Sequence, residues 1–547
     1  MNASSLVNIA GHLPDMARRQ PDTTAIIFPQ RNRRLTFREL NILSDRIAHG
    51  LIRTGIGRGV RTALMVTPGP EFFALTFALF KVGAVPVLID PGLGVKNLKS
   101  CLAEAEPHAF IGIPRAHIAR RLFGWGKESL RIFITVGRRL FWEGTTLAEL
   151  LGQNETDTPF PLAPTEKDDV AAILFTSGST GPPKGAVYSH GNFAAQVEAL
   201  RRVYGIEPGE IDLPTFPLFA LFAPALGMTA VIPQMDFTRP GSVNPRRIIA
   251  TIKDHGVTTM FGSPALINRV GRYGAERGIS LPTLRRVISA GAPVPAAVLE
   301  RFYRLLGPGA ELYTPYGATE ALPVCSIGSR EILAETQQIT NAGGGICVGR
   351  PVEGIRLEII RISDDPIPVW QDSLRVAAGT IGEIIVQGDQ VTRSYYNRPE
   401  ADRLAKIADP ATGSFFHRMG DLGGIDEAGR IWFCGRKSHR LQTADGPFYT
   451  IPCEAVFTTH PAVFRTALVG VGDRGDQRPV LCVELEKGIK VDRETVRKEL
   501  LAIGSAHIHT QPITTILFHP AFPVDIRHNA KIFREKLAVW ATSKLSS

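Results

Sequence analysis

Short apolar runs rich in β-branched residues alternate with helical patterns over the first half of this chain. The strand-like runs are 62–67, 84–90, 108–113, 131–136, 171–176, 229–233, 258–263 and 286–291. Helical patterns such as 72–83 and 243–256 separate them, and several runs end in Gly, Pro, Ser or Thr. Alternation of this kind indicates a parallel sheet with helices on its faces and ligand loops at the carboxyl ends of the strands.

The pattern becomes β-rich after about residue 340 and then mixed. Strand-like runs at 353–362, 382–388 and 430–436 precede a tail with strand-like 466–473, 479–486 and 514–520 and helical 492–507. A strand ends in Gly435, and polar and basic residues follow it. We therefore expect an α/β fold with a large N-terminal domain of helix-flanked sheets, residues 1–436, and a small α+β C-terminal domain, residues 437–547.

Composition places the chain among ordinary globular proteins. Its 547 residues are 44% hydrophobic and 21% charged, and its six cysteines lack the spacing of a disulfide framework or zinc site. The first twenty residues lack the pattern of a secretory signal, so we expect a cytoplasmic protein with free thiols. The apolar stretch 217–233 contains Pro224 and is shorter than the ~20 residues of a spanning helix, which predicts a buried helix.

The formal charge of +10 is dispersed, and we expect no nucleic-acid partner. One local concentration, residues 114–133, combines five basic residues with Phe123 and Trp125. A solvated helix face beside a strand is the favoured interpretation, because single charge runs usually lie on the surface. The alternative is a segment that docks on a membrane or a partner, and that question stays open.

The run TSGSTGPPKG, residues 176–185, directly follows an apolar strand pattern. Backbone N–H groups and hydroxyls of such loops bind phosphate oxygens, and a lysine adds positive charge. Pro183 and Gly185 replace the second glycine and the magnesium-binding hydroxyl of a Walker loop, which disfavours a P-loop NTPase. The candidate nucleotide-binding residues are Thr176, Ser177, Gly178, Ser179, Thr180, Gly181 and Lys184.

This run is similar to the motif [ST]SG[ST]TGxPKG of the acyl-adenylate-forming (ANL) superfamily, which includes acyl-CoA ligases and peptide adenylation domains. TPYGATE, residues 314–320, resembles its YGxTE motif. The resemblance implies that Tyr316, followed by Gly317, stacks on adenine, that Thr319 contacts the α-phosphate and that Glu320 holds Mg²⁺. SAGAP, residues 289–293, resembles the strand-end loop beside adenine, carried by Ala290, Gly291 and Ala292.

Three later segments extend the resemblance. MGDLG (419–423) and GRIWFCGR (429–436) imply that Asp421 binds the ribose hydroxyls and that Arg436 approaches ribose or phosphate, although Met419 replaces the usual threonine. HNAKIFREKL (528–537) resembles the segment that carries the adenylation lysine, here Lys531. The stretch 382–401 follows the GE-strand and YxxxPE pattern, and we assign it a structural role.

The resemblance implies a ligase that uses ATP and Mg²⁺ to convert a carboxylate to an acyl-AMP, with a mobile C-terminal domain. Thioester-forming relatives carry Asp or Lys at the hinge and a lysine shortly after it. Ser438 and Gln442 occupy these positions here, which weakens the assignment as an acyl-CoA ligase. Drift in a variable loop is the alternative explanation.

Segments 216–240 and 525–541 are similar to the branch of the superfamily that forms β-lactones in bacterial long-chain olefin biosynthesis. This implies ATP-dependent activation of a 2-alkyl-3-hydroxyalkanoic acid, a long-chain β-hydroxy acid, and closure by its own hydroxyl with release of AMP and pyrophosphate. Other enzymes of that pathway are candidate partners in an assembly. The alternatives are a long-chain acyl-CoA or acyl-carrier ligase and a catalytically silent nucleotide-binding scaffold.

A long acyl chain needs an apolar tunnel. Phe216, Leu218 and Phe219, with Leu221, Phe222 and Met228, are candidates for its lining, and a core role is equally open. His190, just past the phosphate loop, is a candidate to act near the carboxylate or phosphate. A structural histidine is the alternative for this position.

Overall fold

A computed structural model describes residues 6–152, 157–176, 182–524 and 532–546. Helix α2 begins where Thr36 and Glu39 form a reciprocal capping box, and α17 begins after the Asp492 cap. The α-helices are α1 (His12–Arg19), α2 (Phe37–Arg53), α3 (Pro70–Lys81), α4 (Val95–Ala105), α5 (Pro114–Phe123), α6 (Leu147–Gly152), α7 (His190–Tyr204), α8 (Pro217–Ala220), α9 (Phe222–Leu226), α10 (Pro245–His255), α11 (Pro264–Ala275), α12 (Ala296–Tyr303), α13 (Ser329–Glu331), α14 (Gln337–Asn341), α15 (Pro399–Ala405), α16 (Thr450–Thr458), α17 (Arg493–Ser505) and α18 (Arg534–Leu545).

The strands follow the predicted runs closely in the first half of the chain. They are β1 (Thr24–Phe28), β2 (Arg33–Thr36), β3 (Arg61–Met65), β4 (Val85–Ile89), β5 (Ala109–Gly112), β6 (Ile132–Thr135), β7 (Thr145–Thr146), β8 (Val170–Thr176), β9 (Lys184–Ser189), β10 (Ile211–Pro214), β11 (Thr229–Val231), β12 (Thr259–Phe261), β13 (Arg286–Ile288), β14 (Glu311–Tyr313), β15 (Tyr316–Ala318), β16 (Ala321–Ser326), β17 (Ile346–Pro351), β18 (Arg356–Ile360), β19 (Gly382–Gln387), β20 (Ser394–Tyr395), β21 (Lys406–Asp409), β22 (Ser414–Ile425), β23 (Ile431–Arg436), β24 (Leu441–Thr443), β25 (Gly446–Phe448), β26 (Val463–Val471), β27 (Arg478–Leu485) and β28 (Thr515–Phe518).

The alternating part of the chain, joined by β20 from farther along the sequence, forms two sheets that are largely parallel. One has the order β20-β9-β8-β4-β3-β5-β6-β7, and the other has the order β14-β13-β12-β10-β11-β1-β2. Helix α3 is buried along its whole length, and its Phe73 shares one apolar cluster with Ile26 of the second sheet and Ile111 of the first. An all-round apolar helix must be covered on every side, which explains its place between the sheets.

The second half of the chain supplies a mainly antiparallel sheet and a small C-terminal layer. The order of the large sheet is β15-β16-β17-β23-β22-β19-β18, with β21 paired to β22. Strands β26, β27 and β28 form the C-terminal sheet, which packs with α16, α17 and α18. The α/β fold with an α+β tail is confirmed, whereas a domain boundary at 436/437 stays a prediction.

The prediction of one buried helix over 217–233 is wrong. The segment is buried, but α8 and α9 are short and separate, and β11 follows them. Gly227 adopts a φ of 79° and ends α9, because glycine tolerates this left-handed conformation. Within the described ranges, no helix combines the length and the apolar character needed to cross a membrane. The six cysteines are buried and unpaired, as predicted.

Candidate active site

A cavity of about 2100 Å³ lies where the three large sheets and the C-terminal elements meet. Its wall includes Lys184, Gly291, Tyr316, Asp421 and Arg534, which are far apart in the sequence. The predicted nucleotide-binding motifs therefore share one space. A wall built from several strand ends is the usual setting of a ligand site in an open α/β sheet.

The predicted phosphate loop connects β8 to its antiparallel neighbour β9, with Thr176 opposite Lys184. Lys184 lines the cavity, and its Nζ lies 5.0 Å from the ring centroid of Tyr395. Gly185 leaves no room for a side chain, since a Cβ there would stand 2.8 Å from Ile173 Cγ2. Ser177, Gly178, Ser179, Thr180 and Gly181 lie outside the described residues, and nothing is described of the Thr176 side chain.

The motifs predicted to bind adenine and ribose are joined by Asp421. Tyr316 Oη donates a hydrogen bond of 2.7 Å to Asp421 Oδ2, and Arg436 Nη1 donates one of 2.7 Å to Oδ1. Burial, followed by the neighbouring carboxylate, raises the pKa of Tyr316 well above its usual value. Met419, the departure from the family pattern, is 4% exposed and packs in an apolar cluster with Ala321, so threonine is not required for this arrangement.

Glu320, the predicted metal ligand, accepts a 2.7 Å hydrogen bond at Oε1 from the phenol of Tyr395. The structure has no cluster of three or more metal-ligating side chains among its described residues. A Mg²⁺ ion bound with a nucleotide is usually coordinated by only one or two protein carboxylates, together with phosphate oxygens and water. A single oriented glutamate on the cavity wall fits that kind of site. The carbonyl of Thr319 beside it accepts a hydrogen bond from Tyr188 Oη.

Sequence reasoning missed two residues beside Glu320. Tyr395 belongs to the YxxxPE pattern that we had assigned a structural role, yet it lines the cavity and contacts the candidate metal ligand. Lys406 Nζ donates to the carbonyl of Thr392 and lies 5.9 Å from the Tyr395 ring centroid. Burial lowers the pKa of Lys406 to about 7, against the opposing charges of Glu320 and Asp402. Only the YxxxPE motif offered a signal for Tyr395, and none marked Lys406.

The SAGAP loop and Gly317 bring main chain close to the cavity. Ala290, Gly291 and Ala292 line it, and Gly291 has a φ of 97°, which glycine adopts without strain. A Cβ on Gly317 would lie 2.6 Å from the carbonyl oxygen of Ala321. Ser289, which sequence reasoning did not select, lines the cavity, and its buried Oγ has no hydrogen-bond partner in the described part of the chain.

The predicted acyl-binding residues form an aromatic wall of the same cavity. Phe216, Leu218 and Phe219 line it, and the rings of Phe219 and Phe261 have centroids 4.5 Å apart. Leu221 and Phe222 line it as well. Met228 belongs instead to the buried core, with 3% exposure. Binding of an acyl chain to this wall stays a prediction.

His190 is directed into the core and is not among the described residues that line the cavity. Its Nδ1 accepts a 3.2 Å hydrogen bond from the backbone N–H of Ile9, and its ring packs edge-on against Phe80. Burial lowers the pKa of His190 to about 4, so the ring is neutral near pH 7. These contacts support the structural alternative for His190, and a role near the substrate stays a prediction.

The C-terminal elements also line the cavity, with residues that include Ile451 and Glu454 of α16, Ile532, and Arg534 at the start of α18. Arg534 Nη2 forms an ion pair with the buried carboxylate of Glu454. Lys531, the predicted adenylation lysine, lies outside the described residues. Ser438, at the predicted hinge, lines the cavity directly after Lys437, whose Nζ lies 3.0 Å from Glu383 Oε1.

Known proteins share both the sequence and the fold. The profile of the AMP-binding enzyme family matches residues 13–396. An olefin β-lactone synthetase of Xanthomonas campestris pv. campestris is 51% identical over 99% of this chain and 98% of that protein. The olefin β-lactone synthetase of Stenotrophomonas maltophilia is 52% identical over 98% of both.

The solved structure of the anthranilate CoA ligase AuaEII in complex with anthranoyl-AMP has a similar fold. It superposes with a TM-score of 0.81, covers 100% of both chains and is 20% identical in sequence. This likeness supports the arrangement of the sheets.

Proposed function

Because this chain belongs to the family of AMP-binding enzymes, we propose that it activates a long-chain 2-alkyl-3-hydroxyalkanoic acid with ATP and closes it to a β-lactone. The observation that carries the proposal is the 51% identity, over nearly all of both chains, to an olefin β-lactone synthetase. The cavity adds support because it combines a polar wall that carries the nucleotide motifs with an aromatic wall.

In the first step, a carboxylate oxygen of the acid attacks the α-phosphorus of ATP. A new P–O bond forms, the bond to the bridging oxygen breaks, and pyrophosphate leaves. The enzyme must stabilise negative charge on five-coordinate phosphorus rather than provide a nucleophile. Lys184, Arg436 and Lys531 would supply positive charge. Mg²⁺ held by Glu320 would neutralise charge on the phosphate oxygens.

In the second step, the 3-hydroxyl oxygen attacks the activated carbonyl carbon of the same molecule. A C–O bond closes the four-membered ring, the bond between the acyl carbon and AMP breaks, and the hydroxyl proton is released with AMP. An intramolecular nucleophile has a high effective concentration, so no external thiol is required. An aromatic wall containing Phe216 and Phe219 would keep water from hydrolysing the adenylate.

The deciding experiment incubates the purified protein with ATP, Mg²⁺ and a 2-alkyl-3-hydroxy acid, and measures pyrophosphate, AMP and lactone. We expect all three products without coenzyme A. The matched acid that lacks the 3-hydroxyl should yield pyrophosphate and acyl-AMP but no lactone. A strict requirement for coenzyme A would instead identify a thioester-forming ligase. Absence of acid-dependent pyrophosphate would identify a catalytically silent protein.

A further inference from the structure

Four large apolar side chains are exposed together at the outer end of α5 and in the loop that follows β6. Leu122 and Phe123 are 74% and 44% exposed, and Leu140 and Phe141 are 47% and 71% exposed. The guanidinium of Arg121 lies 5.6 Å from the ring centroid of Phe141 and so links the two segments. We call these four residues the α5 patch. Contiguous exposed apolar groups commonly mark an interaction surface.

Buried contacts beneath the patch hold its two segments in place. His117 of α5 stacks on Trp142 at a centroid distance of 5.2 Å, and Trp142 Nε1 donates a 2.8 Å hydrogen bond to Thr135 Oγ1. On the same helix, the Arg120 guanidinium lies 4.0 Å from the ring centroid of Phe133. The exposed side chains therefore project from an anchored base.

The surroundings of the patch are strongly basic. Residues 114–145 contain seven Arg or Lys and two Glu, an excess of five that is half of the formal charge of +10. Arg121, Lys127 and Arg138 are exposed and form no ion pair with an acid in the described part of the chain, whereas Arg139 lies 4.0 Å from Glu149. Exposed apolar side chains surrounded by basic residues complement an anionic lipid surface. The lipid headgroups attract the basic side chains, and the apolar side chains insert where the headgroups meet the acyl chains.

The large cavity reaches both ends of α5. Arg115 and Ala116 in its first turn line the cavity, as does Trp125 just beyond its last turn. The helix has ten residues and is therefore about 15 Å long. Phe123 of the patch stacks on Trp125 at a centroid distance of 5.9 Å, so the patch adjoins a space that, under the function proposed above, receives a long-chain acid.

We propose that the α5 patch and its basic surround bind the surface of an anionic bilayer. Four side chains are few beside the roughly 20–30 residues that each partner contributes to a stable protein interface. Shallow insertion of a few aromatic and aliphatic groups, assisted by several cations, suffices for reversible lipid binding. The basic segment 114–133, which contains α5, thus has a lipid-facing role that its sequence left open.

The test measures co-sedimentation of the full chain with vesicles of phosphatidylcholine, with and without added phosphatidylglycerol, and with neither ATP nor acid present. We expect binding only with phosphatidylglycerol, and weaker binding as ionic strength rises. The double substitution Leu122→Ser/Phe141→Ser should reduce partitioning about tenfold or more. Lys127→Glu/Arg138→Glu should abolish the dependence on phosphatidylglycerol.

Matched controls carry the same changes elsewhere. Ile508→Ser/Val539→Ser alters residues that are 86% and 72% exposed, and Arg285→Glu/Lys490→Glu makes the same charge change on other exposed positions. Both should bind vesicles like the unmodified chain, and all variants should retain its melting temperature. The proposal would be overturned if the chain did not bind phosphatidylglycerol vesicles at low ionic strength, or if patch and control variants lost vesicle binding equally. The remaining interpretation would then be that the patch binds another protein. Because the assay contains no substrate, either result leaves the lactone-forming proposal untouched.

Discussion

The phenol of Tyr395 donates a 2.7 Å hydrogen bond to Oε1 of Glu320, although the two residues are 75 positions apart. Tyr395 is 7% exposed, and Lys184 approaches its ring. A hydrogen bond to a carboxylate is stronger than one between neutral groups, and a buried donor holds one orientation. Tyr395 thus orients the side chain that is proposed to hold the metal.

Replacement of Tyr395 by phenylalanine should impair the use of Mg²⁺ and ATP. A hydrogen bond to a charged group contributes about 1.5–3 kcal/mol, so we expect acid-dependent pyrophosphate release to fall about tenfold or more, with a higher Mg²⁺ requirement. A titration of Mg²⁺ measures this. Tyr204→Phe is the control, because Tyr204 is also buried and its hydroxyl contacts Ser326 at 3.3 Å. Equal losses in both variants would contradict a specific role for Tyr395.

Asp421→Asn should weaken ATP binding. The substitution replaces the carboxylate that is predicted to accept hydrogen bonds from the ribose hydroxyls by an amide. It also weakens the 2.7 Å hydrogen bonds that hold Tyr316 and Arg436 in place on the cavity wall. We expect at least about a tenfold increase in the Kd for ATP, measured calorimetrically. Asp426→Asn provides the control. Asp426 directly follows β22, the strand that carries Asp421, and it pairs with Arg430 at 2.8 Å. This variant should leave the Kd for ATP unchanged. An unchanged Kd in Asp421→Asn would remove Asp421 from the nucleotide site.

Lys531→Ala should nearly abolish adenylation. Loss of one group that stabilises the transition state typically costs about 10²–10³ in rate, and we expect a decrease of that size in pyrophosphate release. Lys536→Ala is the control, because Lys536 is exposed on α18 and lies 4.7 Å from the Phe533 ring centroid. Retention of normal activity in Lys531→Ala would show that another residue carries the reaction.

Two buried histidines should make stability decrease in mild acid. Burial lowers the pKa of His117 and of His190 to about 4 from the usual 6.5, so the unfolded chain binds protons that the folded chain does not. Their contribution is complete above pH 6.5 and is lost as the pH falls toward 4. Each should cost on the order of 2 kcal/mol between pH 7.5 and pH 5.

Melting temperatures of the unmodified chain and of His117→Gln, recorded over this pH range, test the histidine prediction. The variant should be less stable at pH 7.5 but should lose less stability on acidification. His255→Gln, which alters a partly exposed histidine at the end of α10, should retain the original pH dependence. Parallel pH profiles for His117→Gln and the unmodified chain would contradict the assignment.

The local patterns predicted the strands well and the short helices poorly. Runs such as 84–90 and 131–136 became β4 and β6, because a buried parallel strand needs a continuous apolar stretch with turn residues at its ends. The prediction of a single helix over 217–233 was wrong, because buried short helices and a buried strand are both apolar and show no distinguishing periodicity. Only packing beside β1 and β10 distinguished β11 from a continuing helix.

The sequence by itself determined the types of chemical groups in the nucleotide motifs, because glycine-rich strand ends, the Tyr316 motif and the Asp421 motif carry their chemistry in a few consecutive residues. Only the tertiary structure decided which side chains share the cavity. It brought Tyr395 to Glu320 and exposed the α5 patch, whereas it turned His190 toward Ile9. The reason is physical: the direction of a side chain depends on the elements packed around it, and those elements come from distant parts of the chain.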